Sequence, residues 1–338
     1  LIVAERAPDH HAGALVTHHL HADGWSLVIL LRELATLLRG AVLNAPPPSY
    51  ATFVAAEKAA LQGPDFARAL RYYQNLFELD FQQARFLQSS YPHRANSGQG
   101  VLRFPMDRGP VQQLATELGV SPFLLLLGIY HWLLSIYHHT DTVVSASPVA
   151  RREAGRWART VGYFSNLQYL RSTVDHEGSF RDLVLALQAQ FRESYAWQAL
   201  PYARLVERVF DRQEVEKRNL LHQFLFTYQS LRAFPEYQKL YGEAGLDCGA
   251  MNWRSLDLPQ QRNVFQLSLE VFDDGRQLWA YLKFQNPAAE GILTEFWENF
   301  QQLLQHLPQR VDEPLRTVRR LAPAQEERVL AWSRGSAR

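Results

Sequence analysis

The most regular signal along the chain is helical. Leu27, Leu30, Leu31, Leu34, Leu37 and Leu38 recur at three- and four-residue spacing, which lines one helix face with apolar side chains, and Gly40 supplies the stop. Just upstream, Ala14 to Thr17 reads as the end of a strand and runs into a polar string, His18-His19-Leu20-His21-Ala22-Asp23-Gly24. Pro46-Pro47-Pro48 breaks the chain, Ser49 is placed to cap a second helix through Leu61, and Gly63-Pro64 separates that from a third carrying Phe66, Leu70, Tyr73 and Phe77. The polar stretch from Gln88 to Gly100 predicts a linker between lobes. Val101 to Phe104 then predicts a strand, Pro110 to Leu118 a helix, Asp141 to Pro148 a β-branched strand and Phe180 to Gln198 a helix. Ser121 and Pro122 open an almost wholly apolar segment to Tyr137, which predicts a helix buried on all sides. From Val264 the period changes to two. Phe265, Leu267, Leu269 and Val271 alternate with polar neighbours, Asp274-Gly275 turns the chain, and Leu278, Ala280, Leu282 and Phe284 alternate on the return, so a β-hairpin is predicted. A final amphipathic helix carries Ile292, Phe296, Phe300, Leu303, Leu304 and Leu307, and after Pro308 the chain becomes rich in Arg, Glu and Ala.

Composition narrows the class. With 47% hydrophobic and 20% charged residues the chain carries enough apolar side chain to fold, and 338 residues predict two domains or lobes. Basic and acidic residues balance at 35 to 34, which argues against nucleic acid and anionic membrane surfaces as partners. The apolar run Pro122 to Tyr137 is 16 residues, short of the roughly 20 that a membrane span needs, and the N-terminus lacks the pattern of a signal peptide. Cys248 is the one cysteine, which excludes an intrachain disulfide and a thiolate metal cluster and points to a reducing, cytoplasmic setting. The chain starts at Leu1, with methionine only at 106 and 251, and so reads as a fragment of a longer protein.

Candidate chemistry concentrates at His18 to Gly24, where a strand end meets a helix start. An imidazole is the side chain that takes up or releases a proton near neutral pH, Asp23 supplies a charge, and Gly24 lets backbone or ligand approach closely. A plain alternative stands beside this: Asp23 caps the helix and the histidines face solvent. Metal binding is disfavoured, because His18 and His19 would point to opposite sides of a strand and no HExxH helix or cysteine ligand accompanies them. The second pair, His138-His139, reads as a polar helix terminus. No G-x-S-x-G elbow, Walker loop or GxGxxG fingerprint is present, and Cys248 has no neighbouring histidine.

The string from His18 to Ser26 resembles the HHxxxDGxS signature of condensation domains from nonribosomal peptide synthetases. Further segments match in the family's order. Tyr50-Ala51-Thr52-Phe53-Val54 resembles Tyr-x-Asp-Phe-Ala with Thr52 where Asp is usual, Ser145 to Arg152 resembles G-T-P-V-A-x-R, and Val161-Gly162-Tyr163-Phe164-Ser165-Asn166 with Arg171 resembles V-G-x-F-V-N-T. Weaker matches are Gln198 to Tyr202, Phe224 to Ser230, and Leu315 to Trp332, which resembles the linker into an adenylation domain. Only 17 residues precede His18, where the family carries a long stretch with two earlier motifs, so much of the N-terminal lobe is expected to lie outside this chain.

What the resemblance implies is an α/β fold of two chloramphenicol acetyltransferase-like lobes in a V with a substrate tunnel between them. Residues 1–97 would be the remainder of the N-terminal lobe, 98–318 the C-terminal lobe with a latch hairpin near 264–284, and 319–338 the linker. The implied reaction is amide formation by attack of a carrier-bound aminoacyl amine on a carrier-bound acyl or peptidyl thioester. His19 would be general base or amine-positioning group, with His18 shaping the same loop and Gly24 lining the passage. Asp23 would pair with an arginine of the second lobe, Arg152 first and Arg151 second, while Trp25, Ser26 and Asn166 support the tunnel. No cofactor or metal is implied for the chain itself. The substrates ride on the 4'-phosphopantetheine of donor and acceptor carrier domains, with an adenylation domain downstream. Two other readings stay open: a starter or D-donor subtype, the starter taking a fatty acyl group from acyl-CoA or an acyl carrier, and a noncatalytic platform that recruits a carrier or tailoring enzyme. A cyclisation domain is disfavoured, since its signature replaces both histidines with aspartates.

Overall fold

The computed structural model describes residues 2–78, 87, 99–152, 155–209, 221–231, 234–240, 245–249, 251–256, 263–319, 321, 325–327 and 330. In chain order the elements are β1 (Ile2–Ala7), β2 (His10–Ala14), α1 (Gly24–Leu38), α2 (Tyr50–Ala60), α3 (Pro64–Phe77), β3 (Gly100–Met106), α4 (Arg108–Leu118) and α5 (Pro122–His138). They continue with β4 (Thr142–Ala150), β5 (Ser165–Thr173), α6 (Phe180–Ala196), α7 (Tyr202–Val209), β6 (Phe224–Ser230), α8 (Pro235–Leu240), β7 (Leu246–Asp247), β8 (Asn252–Trp253), β9 (Leu267–Asp273), β10 (Leu278–Phe284) and α9 (Glu290–His306). Of the linker predicted at 88–100, all but Gln99 and Gly100 lies outside the described residues.

Two compact units emerge, and they do not divide at residue 97. The first combines Leu1–Phe66, Val149–Asn166 and Phe234–Leu256, and the second combines Ala67–Pro148, Leu167–Ala233 and Asp257–Arg338. The segment between β4 and β5 therefore leaves the second unit and returns to it. Arg152, expected in a separate lobe from Asp23, belongs to the same unit as Asp23.

The second unit is built on a six-stranded sheet of order β3-β10-β9-β6-β4-β5. β9 pairs antiparallel with β10 and parallel with β6. The hairpin expected to be a latch thus forms two interior strands, whose alternate side chains Leu267, Leu269, Val271, Leu278, Ala280 and Leu282 are fully buried. It is a pillar of the core and not a projecting arm. Its turn is the one predicted: Gly275 takes φ 89°, and Asp274 Oδ1 accepts from the amides of Arg276 and Gln277 at 2.8 and 2.7 Å.

α5 is the centre of this core. Ser121 Oγ accepts from the Leu124 amide at 3.3 Å, Pro122 fits the first turn, and every residue from Leu124 to Ser135 is buried, the helix packing on α4, α6 and α9 and on the sheet. Gly128 permits the α6 contact, since a Cβ there would stand 2.7 Å from Val184 Cγ2. The helix ends at His139 with φ 52°, so the His138-His139 pair is a helix terminus. Among the described residues no single helix is long and apolar enough to cross a membrane. The described part of the tail packs on α9, with buried Gln325 donating to Glu298 Oε2 at 3.0 Å and to the Glu295 carbonyl at 3.3 Å.

Within α5, His131 is fully buried between two hydroxyls, its Nδ1 2.7 Å from Ser172 Oγ and its Nε2 2.8 Å from Ser145 Oγ. Burial lowers its pKa to about 3. The unfolded chain takes up a proton near pH 6.5 while the folded one does not until about 3, so this residue removes stability as pH falls through that window. The slope is about 1.4 kcal/mol per pH unit, or about 2 kcal/mol between pH 6.5 and 5. Urea unfolding at pH 7.5 and 5.0 checks this: His131→Gln is expected to lose that much less stability on acidification than the parent, and parallel losses in the two proteins would contradict it.

The first unit is smaller. β1 and β2 pair as an antiparallel hairpin whose two faces are almost entirely exposed. α1 follows the predicted helix, but its deepest positions are Ser26, Val28, Ile29 and Ala35, whereas Leu37 and Leu38 at its end are exposed. Ala35 packs with Leu240, Leu246 and Cys248, and Phe53 of α2 packs with Trp157 and Phe164.

Candidate active site

The site is built where the loop after β2 enters α1. His18 and His19 lie in this loop and its turn, not on a strand as their sequence context suggested. The turn is held by the His21 amide donating to the His18 carbonyl at 2.9 Å, and the Leu20 amide donates to His18 Nδ1 at 3.1 Å. Both bonds engage His18, whose ring remains exposed. His19 is exposed, and its ring meets Tyr163 edge-on, centroids 5.3 Å apart and planes at 87°.

Asp23 is the N-cap of α1 and is only 1% exposed. Its Oδ1 accepts from the Ser26 amide at 2.8 Å and from Arg152 Nη2 at 2.8 Å, and its Oδ2 accepts from the Phe164 amide at 3.1 Å. Ser26 Oγ lies 2.7 Å from Asp23 Oδ1 and 2.8 Å from the Gly162 carbonyl, either of which takes its single proton. The same oxygen accepts from the Gly162 amide at 3.0 Å and from Arg152 Nη2 at 2.8 Å. Arg152 Nη1 donates to the carbonyls of Trp157 and Thr160 at 2.7 and 2.6 Å, and the guanidinium sits 4.1 Å over the Phe164 ring. Burial pulls the Arg152 pKa below its ordinary value, and Asp23 opposes that shift. A guanidinium in this setting stays charged, so the pair is a buried ion pair with nearly every lone pair and proton in use.

Arg151 goes elsewhere. Its Nη1 pairs with the Glu57 carboxylate and its Nε donates to the Phe164 carbonyl at 3.1 Å. Trp25, half-buried, donates its indole N–H to the Ala158 carbonyl at 3.1 Å and packs edge-on against Phe234. Asn166 is buried at the start of β5. Gly24 is exposed, and no atom lies within 4 Å of where a Cβ would stand, so nothing among the described residues crowds it. Among the described residues no group of three or more His, Cys, Asp or Glu side chains is placed to hold a metal ion. Cys248 is buried, and that burial pushes its thiol pKa up, away from nucleophilic thiolate.

Two contacts escape a reading of the sequence alone. Tyr50 Oη donates to the Tyr163 carbonyl at 2.7 Å, which ties α2 to the residue that faces His19. The Tyr50 ring also lies flat against Gly162, where a Cβ would come within 2.2 Å of it, so only glycine fits there. The tyrosine at the head of the Tyr50 to Val54 match and the third residue of the Val161 to Asn166 match were visible, but their contact was not. The arrangement as a whole presents three exposed imidazoles, His18, His19 and His21, on a turn whose base is locked by a buried ion pair, with His18 Nδ1 engaged by the Leu20 amide and the His19 ring against Tyr163. It offers proton transfer or positioning; among the described residues, Ser26 is buried in the hydrogen-bond network and Cys248 is buried elsewhere, so neither is presented as a nucleophile.

The Condensation domain family model matches residues 2–330. The chain belongs to the condensation domain family. Tyrocidine synthase 3 of Brevibacillus parabrevis is 26% identical over 341 residues, covering 98% of this chain and 5% of that protein. The condensation domain thus spans about one-twentieth of this curated relative. Among solved structures, the four-domain nonribosomal peptide synthetase holo-AB3403, bound to AMP and glycine, superposes with a TM-score of 0.75 at 19% identity, covering 90% of this chain and 24% of that one. The first condensation domain of the calcium-dependent antibiotic synthetase superposes at 0.68 with 18% identity, covering 90% and 66%. The fold of this condensation domain is therefore the chloramphenicol acetyltransferase-like α/β fold that its sequence motifs implied.

Proposed function

We propose that this condensation domain is an acyltransferase that forms amide bonds between substrates carried as thioesters. The α-amine of an aminoacyl group on an acceptor carrier attacks the thioester carbonyl of a donor. The C–N bond forms, the C–S bond breaks, the amine proton passes to His19, and the donor carrier's thiol leaves. A thioester is already activated, so direct aminolysis needs no nucleophile on the protein, in keeping with a site whose Ser26 is buried and hydrogen-bonded among the described residues. Much of the acceleration comes from holding amine and carbonyl in register, where effective molarities reach about 10⁵ M or more. An α-amine has a pKa near 8, so an imidazole need only hold its lone pair in line or accept the proton late.

The observation that carries this reading is the exposed His19 ring on a turn anchored by Asp23, Arg152 and Ser26. The donor and acceptor carriers bring both substrates on 4'-phosphopantetheine, and an adenylation domain loads the acceptor. Intact-protein mass spectrometry tests the proposal: protein containing this chain is mixed with an acyl-loaded donor carrier and an aminoacyl-loaded acceptor carrier. The acceptor is expected to gain the mass of the donor acyl group. No transfer between carriers whose loading has been verified, across several acyl and aminoacyl groups, would overturn it. Transfer from acyl-CoA but not from a carrier would instead identify the starter subtype.

A further inference from the structure

The second unit holds a pocket of about 450 Å³ between α3, β5 and α6, well apart in sequence from the His19 loop. This volume falls within the range that small-ligand sites occupy. Three arginines line it, Arg68, Arg71 and Arg171, against one carboxylate, Glu193, which leaves a formal charge of +2. The hydrogen-bonding capacity left over is also one-sided. Gln190 Oε1 accepts from the Arg171 amide at 2.7 Å, so its NH₂ is the unused end. Arg171 Nη1 donates to the carbonyls of Asn75 and Leu76 at 3.3 and 3.4 Å, closing the end of α3 and leaving Nη2 and Nε. Arg71 is exposed and has neither ion pair nor hydrogen bond among the described residues. Tyr72 Oη is buried without a hydrogen-bond partner, although Ser194 lies beside it. Trp197 and Leu76 add apolar surface.

Donors, net positive charge and an apolar wall select a ligand with a compact dianion and a small organic part. Guanidinium forks match phosphoryl oxygens in pairs, and a phosphate monoester carries close to two negative charges above pH 7. We propose that this pocket binds a small organic phosphate monoester, with Arg71 and Arg171 on the phosphoryl oxygens and Trp197 against the organic group. Glu193 sets the ceiling on affinity, because it brings a like charge to the bound phosphate.

The proposal does not rest on the role given to His19, and binding reads it directly. Isothermal titration of the full chain with phenyl phosphate at pH 7.5 and physiological salt is expected to saturate. Arg71→Ala is expected to weaken binding at least tenfold, and Glu193→Gln to tighten it about threefold or more. The opposite signs separate a site from a general loss of folding, and both variants are first checked for an unchanged thermal midpoint. Dimethyl phosphate, a monoanionic diester, distinguishes a free monoester from a carrier-tethered diester and is expected to bind at least tenfold more weakly. Absence of saturation up to 10 mM phenyl phosphate, equal binding of the diester, or weaker binding by Glu193→Gln would each overturn the proposal.

Discussion

Replacing Arg152 by methionine is expected to destabilise the first unit by about 3–5 kcal/mol. Methionine fills much of the same volume, so the loss comes from charge and hydrogen bonds. Asp23 would remain 1% exposed with its counter-charge gone, and the carbonyls of Trp157 and Thr160 would lose their donors together. Lysine offers no remedy, because a single ammonium cannot reach a carboxylate, a hydroxyl and two carbonyls at once as the guanidinium fork does. Hydrogen exchange gives a local readout, since the amides of Ser26 and Phe164 both donate to Asp23. Their exchange is expected to accelerate far more than that of α5 amides in the second unit. Asp23→Asn removes the orphaned charge, so combining it with Arg152→Met should fall short of the summed single effects by about 0.5–3 kcal/mol. Additive losses, or a single-variant loss below 1 kcal/mol, would show that the pair does not hold the loop.

His19→Ala is expected to do the reverse, slowing amide formation by about 10²–10⁴-fold with stability within about 0.5 kcal/mol of the parent. The asymmetry follows from placement. His19 is exposed and touches Tyr163 only by a ring edge, so its removal opens no cavity and strands no buried partner. Single-turnover transfer between loaded carriers, measured beside thermal unfolding, separates the two effects. A rate within tenfold of the parent would remove His19 from the chemistry.

Regular periodicity made much of the fold legible before any coordinates. α5, the β9–β10 hairpin and α9 each bury a face against one core, so their apolar spacing had to match 3.6 or 2 residues. The β1–β2 hairpin was missed for the converse reason: with both faces exposed, no alternation marks it. β6 coincides with the Phe224 to Ser230 motif match, and β5 begins within the Val161 to Asn166 match. For the site, local spacing placed Asp23 as a cap, whereas its ion pair with Arg152 came from motif order. What no local signal carried was the excursion of 149–166 into the first unit, which turns an expected bond between lobes into one within a unit. The arginines of the proposed phosphate pocket were equally hidden, being contributed by two elements, α3 and β5, about a hundred residues apart in sequence.

That excursion also sets a timetable for synthesis. Asp23 and Arg152 are separated by 129 residues. At the roughly 5–20 residues per second of translation, Asp23 is made about 6–26 s before its counter-charge exists. Leu240, Leu246 and Cys248, which cover Ala35, arrive later still. Through that interval the loop bearing His19 has no lock, and α1 must keep a carboxylate hydrated that the finished protein excludes from water. The ion pair that anchors the His19 turn can therefore form only after residue 152 has been synthesised.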